Sequence, residues 1–364
     1  NTFQGGGMFA QFGSGNTLIN TATGVIDTSQ DFAFGINALS GSGHTLVNLG
    51  TIVTRGQASH AMILNAMTGS SATNGGTITT SGGASEVLNR AYGIFIAQGS
   101  GNTAMNLAGG IINASGLGAS AMEVFDSANN LLRNEGTLNV SGAGAHGMYV
   151  VSGNNNTLDN RGVLNITGAR GNGLRSDDGN TMFLNSGTIL VGGGDAFGVY
   201  MQGTGNTLVN SGTIHATGSN ADGVVSNTVA GSFATSIENT GTIVSDRRFA
   251  IRGVNGQETV VNAGTLRSGV GTAIDLRPGN DTLILRTGSQ VTGLADGGTG
   301  TDITLLEGTG VATNDFANFE TLRMTGSDWR FSGNGTFAST EVQAGVLRVD
   351  GSLTSPVSVQ AGTT

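Results

Sequence analysis

The stretch Gly205-Asn206-Thr207-Leu208-Val209-Asn210-Ser211-Gly212-Thr213-Ile214 decides the fold, because its wording recurs from near the start of the chain to past residue 266. The glycine of its Asn-x-Gly-Thr-Ile half returns at Gly50, Gly76, Gly136, Gly162, Gly187, Gly212, Gly241 and Gly264, with looser copies at Gly24 and Gly110, and most steps are 25 or 26 residues. A fixed period in this range means stacked supersecondary units, none of which can bury its apolar side alone.

The period from Gly136 to Arg161 shows what the unit is. It holds three short runs, Gly-Thr-Leu-Asn-Val, His-Gly-Met-Tyr-Val-Val and Asn-Thr-Leu-Asp-Asn, separated by Gly, Ser and Asn. Alternation puts Leu138, Val140, Met148, Val150 and Leu158 on one side and Thr137, Asn139, Tyr149 and Thr157 on the other. The period is two, not 3.6, so each run is a strand. Three strands per turn of about 25 residues, apolar on one side, predict an all-β fold, a right-handed parallel β-helix. The two asparagines of Asn-Thr-Leu-x-Asn share the parity of the buried Leu, so they are expected at corners, with amides stacked in ladders. The period stretches between Gly76 and Gly110, where Glu86 to Arg90 is the expected bulge, and again around Asn220 to Ser232.

Composition narrows the function. Sixty-four Gly against 2 Pro suits many tight turns and few lost ladder donors. All 15 basic residues are Arg, and the net charge is −9. With no basic cluster beyond Arg247-Arg248, nucleic acid and anionic membrane surfaces are poor partners. No 18-residue apolar run is present, so this segment inserts no helix into a membrane. The lack of Cys suits export. The start at Asn1 without a signal segment, and the end at Thr364 in mid-pattern, suggest an excised or processed fragment.

After Leu266 the wording changes, and the chain is expected to divide into a repeat-bearing stalk, residues 1–278, and C-terminal turns, residues 279–364. Pro278-Gly-Asn-Asp-Thr-Leu-Ile-Leu is followed by Gly297-Gly-Thr-Gly-Thr-Asp, Asn318-Phe-Glu-Thr-Leu, Trp329-Arg-Phe-Ser-Gly and Gly345-Val-Leu-Arg-Val-Asp-Gly-Ser-Leu. This order resembles the passenger region of Gram-negative autotransporters, the secreted part of type V secretion systems, at the segment leading towards the autochaperone and translocator. The resemblance is specific over residues 279–364 and general in style over 16–278. It implies a β-helical stalk at the bacterial cell surface or secreted, anchored by an outer-membrane barrel not in this sequence. It also implies a role in adhesion or self-association, with another copy of the chain, or a host or matrix ligand, as partner.

Catalytic signatures are missing. Neither Gly-Asp-Ser-Gly nor Gly-Asp-Ser-Leu occurs, so protease-type and lipase-type passengers are not matched. The nearest carboxylate constellation is Asp177-Asp178 with Arg175, one turn from His146 and Asp195; Ser-Asp-Asp-Gly-Asn reads as a turn rather than a site. His44, His60, His146 and His215 are too scattered for a metal and read as solvated or corner residues. Asp281 and Asp302 sit in imperfect copies of the calcium-binding Gly-Gly-x-Gly-x-Asp nonapeptide, and are read as ordinary turn residues rather than as a calcium site. The reading is therefore of a non-enzyme with no cofactor and no metal.

The outward positions carry the remaining information. In the middle strand the residue between two buried aliphatics gives the column Ile63, Phe95, Glu123, Tyr149, Arg175, Tyr200, Val225 and Arg252. Exposed aromatics and Arg in line favour an interface, so Phe95, Tyr149, Arg175, Tyr200 and Arg252 are the expected interaction face. The strand after each Gly gives a threonine ladder, with Thr188, Thr213 and Thr242 as the competing face. Two alternatives stay open: a glycan-binding or glycan-degrading β-helix, and a spacer stalk for a distal domain.

Overall fold

The computed structural model describes residues 6–83, 90–228 and 235–363. The expected bulge at Glu86 to Arg90 lies outside these residues except for Arg90 itself, as does part of the second extension, at 229–234. The described residues form parallel strands wound into a right-handed β-helix, with no helix among them. The chain forms two units, Asn1–Tyr200 and Met201–Thr364.

In the first unit three parallel stacks repeat. One carries Thr17–Asn20, Thr45–Asn48, Ser71–Asn74, Thr103–Asn106, Leu131–Asn134, Thr157–Asn160 and Met182–Asn185, each paired in register with the next. The second runs from Val25–Thr28 through Thr51–Thr54, Thr77–Thr80, Ile111–Ala114, Thr137–Val140 and Val163–Ile166 to Thr188–Val191. The third carries the longer strands Phe34–Ser42, Met62–Thr68, Ile94–Ser100 and Met122–Ala128, followed by Met148–Val150 and Asn172–Ser176. The strands expected from the period Gly136 to Arg161 all form, and Leu138, Val140, Met148, Val150 and Leu158 are buried.

Two devices fix the turn. The first is the corner asparagine. Asn20, Asn48, Asn74, Asn106, Asn134, Asn160 and Asn185 are buried, and each side-chain amide donates to the carbonyl oxygen of the next at 2.7–2.9 Å. The link from Asn74 to Asn106 spans 32 residues yet keeps its 2.7 Å bond, so the long turn is absorbed outside the ladder. The second device is the periodic glycine, and its reason differs from the expected one. Gly136 does not take positive φ. A Cβ there would stand 2.2 Å from the Gly110 carbonyl oxygen, so the close approach of successive turns, not a left-handed turn, demands Gly.

The second unit has the same pattern, with turns that shorten towards its C-terminal end. Asn210 donates to Asn239 at 2.7 Å and Asn239 to Asn262 at 2.8 Å. The step is 23 residues at Asn239–Asn262, 21 at Asp281–Asp302 and 18 at Asp302–Glu320. The altered wording after Leu266 is thus a shorter turn of the same solenoid. Its core turns aromatic: Trp329 and Phe331 are fully buried, and Gly310 pairs with Trp329, where a Cβ would stand 2.6 Å from the indole.

Candidate functional site

The middle-strand column is in register. Phe95 pairs with Ile63 and Glu123, Glu123 with Tyr149, and Tyr149 with Arg175. Its exposure is not the expected one. Tyr149 is only 5% exposed, Ile63 and Glu123 are buried, and Phe95, Arg175 and Tyr200 are half-buried. Arg252, in the second unit beside Val225, is half-buried and ion-paired to the fully buried Asp222 at 2.6 Å. The five residues do not form an exposed stripe.

What covers the column in the first unit is a second column two residues upstream of each buried aliphatic. Phe34, His60 and Tyr92 occupy that place before Ile36, Met62 and Ile94, and His146 and Phe197 take it before Met148 and Val199. His60 stacks between Phe34 and Tyr92 with ring centroids 5.5 and 5.0 Å away, and Phe95 leans on both His60 and Tyr92. His146 meets the Tyr149 ring edge-on at 4.7 Å, and Phe197 stacks on Tyr200 at 5.8 Å. The recurrent aromatic-Gly/Ala-aliphatic triplet was the signal in the sequence. Alternation tells which side of a strand a residue faces, not what lies over it.

The polar members lock one another. Arg175 makes a two-pronged ion pair with Asp177, Nε to Oδ1 at 2.7 Å and Nη2 to Oδ2 at 2.9 Å. Its guanidinium lies 5.1 Å from the ring centres of both Tyr149 and Tyr200. The Tyr149 hydroxyl donates to Asp177 Oδ2. Asp178, by contrast, holds a bend, accepting from the Gly153 and Gly179 N–H groups at 2.9 and 2.8 Å, which agrees with a turn. Glu123 is fully buried, and desolvation pushes its carboxyl up to about 8. Tyr92 and Ser120 hydroxyls lie close enough to act on it, yet neither carboxyl oxygen makes a hydrogen bond of normal geometry.

The histidines are less solvated than expected. His44, His60 and His146 are buried, and each uses Nδ1 to accept a backbone N–H from a neighbouring turn, of Asn16, Tyr92 and Asn172, at 3.1–3.2 Å. Burial holds His60 down to about 3 and lowers His146 as well, so both rings stay neutral. His215 alone is half-exposed, 3.1 Å from Asp246. Chemically the cluster is a rib: Asp177 is saturated by Arg175 and Tyr149, and Glu123 has no contact with solvent.

The threonine face differs. Thr51, Thr77, Thr137 and Thr188 are half-exposed on the second stack, and Asn139 and Asn165 continue a surface amide ladder from Asn113 at 2.9 Å per step. The six strands from Thr51–Thr54 to Thr188–Val191 contain no charged residue. Thr213 and Thr242 pair in register in the second unit, beside His215 and the Arg267–Asp246 ion pair.

Asp281 and Asp302 are buried, and each cements two turns instead of making a local turn. Asp281 Oδ1 accepts the Glu258 N–H and Asp302 Oδ1 the Asp281 N–H, both at 2.7 Å. Among the described residues no group of three or more His, Asp or Glu could hold a metal ion.

No curated protein and no solved structure matches the chain. Residues 8–235, more than half of the 364-residue sequence, match the family described as BigA third pectate lyase-like domain. With its parallel β-helix, the chain belongs to that family.

Proposed function

We propose that the chain is a bacterial surface β-helix whose first unit associates side by side with another copy through the threonine face. Membership in a BigA-type domain family fits a bacterial surface protein. The observation that carries the reading is a half-exposed, in-register stack of six uncharged strands, running from Thr51–Thr54 to Thr188–Val191. A surface without like charges can face its own copy without repulsion, and Thr and Asn supply donors and acceptors on both sides. Single contacts are weak, and repetition at about 4.8 Å per turn multiplies them by effective concentration. The column of Phe95, Tyr149, Arg175 and Tyr200 then stiffens the neighbouring side. Attachment of this surface by an outer-membrane barrel, in autotransporter fashion, belongs to the same proposal.

A second reading is adhesion to a host or matrix ligand at Arg175 and Tyr200, favoured by the half-exposed guanidinium between two tyrosine rings. Cells displaying the chain with Thr77→Arg, Thr137→Arg and Thr188→Arg separate the two. Loss of clumping with unchanged display supports the threonine face. Undiminished clumping refutes it, and loss of binding to matrix-coated surfaces in Tyr200→Ser supports the second reading.

A further inference from the structure

The second unit contains a line of acids where the first has neutral groups. At the corner before several strands of the asparagine-bearing stack, a side chain accepts the backbone N–H of its counterpart one turn earlier. In the first unit the acceptors include Ser70, Asn102, Asn130 and Asn156. In the second they are Asp281, Asp302 and Glu320. A neutral amide makes this bond equally well, so the bond does not explain the acids.

Glu258 and Asp281 are 1% and 0% exposed, and their carboxyls stand on consecutive turns close enough to act on each other. Glu258 Oε1 accepts from Ser226 Oγ at 2.8 Å and Thr228 Oγ1 at 3.2 Å, and Asp281 Oδ1 accepts from the Glu258 N–H. Glu258 Oε2 and Asp281 Oδ2 remain, buried and without a donor. Asp302 Oδ2 is in the same condition one turn on. Two ionised carboxylates hold only acceptors, and side by side out of water they repel. A divalent cation needs six or more oxygens for calcium, and no such cluster stands here among the described residues. A single proton satisfies both atoms.

We propose that Glu258 and Asp281 share one proton between consecutive turns, and that this proton makes the second unit tighten as the surroundings acidify and loosen as they turn alkaline. The charged groups facing Asp281 are Glu258 and Asp302, and those facing Asp302 include Glu320 and Asp296, all acids that favour proton uptake. Burial and these neighbours hold Asp281 up to about 8 and Asp302 up to about 6. The folded values lie above the unfolded ones. The stabilisation is therefore full below about pH 4 and is lost as pH rises through these folded values.

The test is thermal unfolding of the whole chain at pH 6 and pH 9, for the parent and for Asp281→Asn. The amide keeps the bond to the Glu258 N–H and donates to Glu258 permanently. The parent should melt several degrees lower at pH 9 than at pH 6, and the variant should lose a clear part of that difference, the remainder belonging to Glu123. Equal pH dependence in both overturns the proposal, and so does calcium raising the parent's melting temperature at pH 7 more than acidification does. Should Asp281→Asn fail to fold, infrared spectra of Glu123→Gln protein decide. A protonated carboxyl band present at pH 7 and vanishing by pH 9 supports the shared proton, and its absence at pH 7 overturns it.

Discussion

Replacing Asn134 by Ala removes one rung from the middle of the corner ladder. Asn134 is fully buried; it donates to Asn160 at 2.9 Å and to the Gly136 carbonyl at 3.2 Å, and accepts from Asn106 at 2.9 Å. Truncation leaves Asn160 Oδ1 without that donor in a place water does not reach, while the Asn106 amide keeps its bond to the Gly110 carbonyl at 3.0 Å. One stranded acceptor costs about 1–3 kcal/mol, and loss of the other bonds adds about 1 kcal/mol, so the variant should lose about 2–4 kcal/mol. Asn113→Ala, on the half-exposed surface ladder, should cost less than about 0.5 kcal/mol. Urea unfolding followed by circular dichroism measures both, with the slope held equal to the parent's. If Asn134→Ala shifts the midpoint no further than Asn113→Ala, the corner amides do not hold the turns together and the reasoning fails.

Glu123→Gln should remove a pH dependence from the first unit. The folded carboxyl titrates near 8, above its unfolded value, so the parent's stability is present below about pH 4 and lost as pH rises through about 8. Melting curves of parent and variant at pH 6 and pH 9 should diverge in that direction. Gly136→Ala places Cβ 2.2 Å from the Gly110 carbonyl and should destabilise by about 3 kcal/mol or more. Gly101→Ala, at φ 66° with open space around it, should cost only the left-handed penalty of about 1–2 kcal/mol in the same urea assay.

The β-helix was legible because its two defining devices recur in the sequence turn after turn as far as Asn262 and Gly264. Gly marks where backbones touch, and Asn marks where a buried amide must donate forward and accept from behind. Leu138 and Val150 were placed inward by alternation alone. Tyr149 was misplaced by the same rule. It does point away from the apolar core, but His146, three residues upstream, meets its ring edge-on and Arg175 of the next turn lies over it, an arrangement that alternation along the strand does not reveal. The acidic corner was hidden for a related reason: Asp281 reads locally as a turn residue, and its partner Glu258 is 23 residues away in sequence. The autotransporter wording lies mainly in residues 279–364, beyond the 8–235 matched by the BigA-type family.

The chain has no cysteine, so one introduced thiol reports on one face. Cysteine cross-linking of two variants under mild oxidation, Thr137→Cys on the uncharged face and Tyr200→Cys on the column, tests the self-association claim most directly. The account predicts that Thr137→Cys forms disulfide-linked dimers whose yield rises with concentration, while Tyr200→Cys stays largely monomeric. Dimers from Tyr200→Cys and none from Thr137→Cys would contradict it.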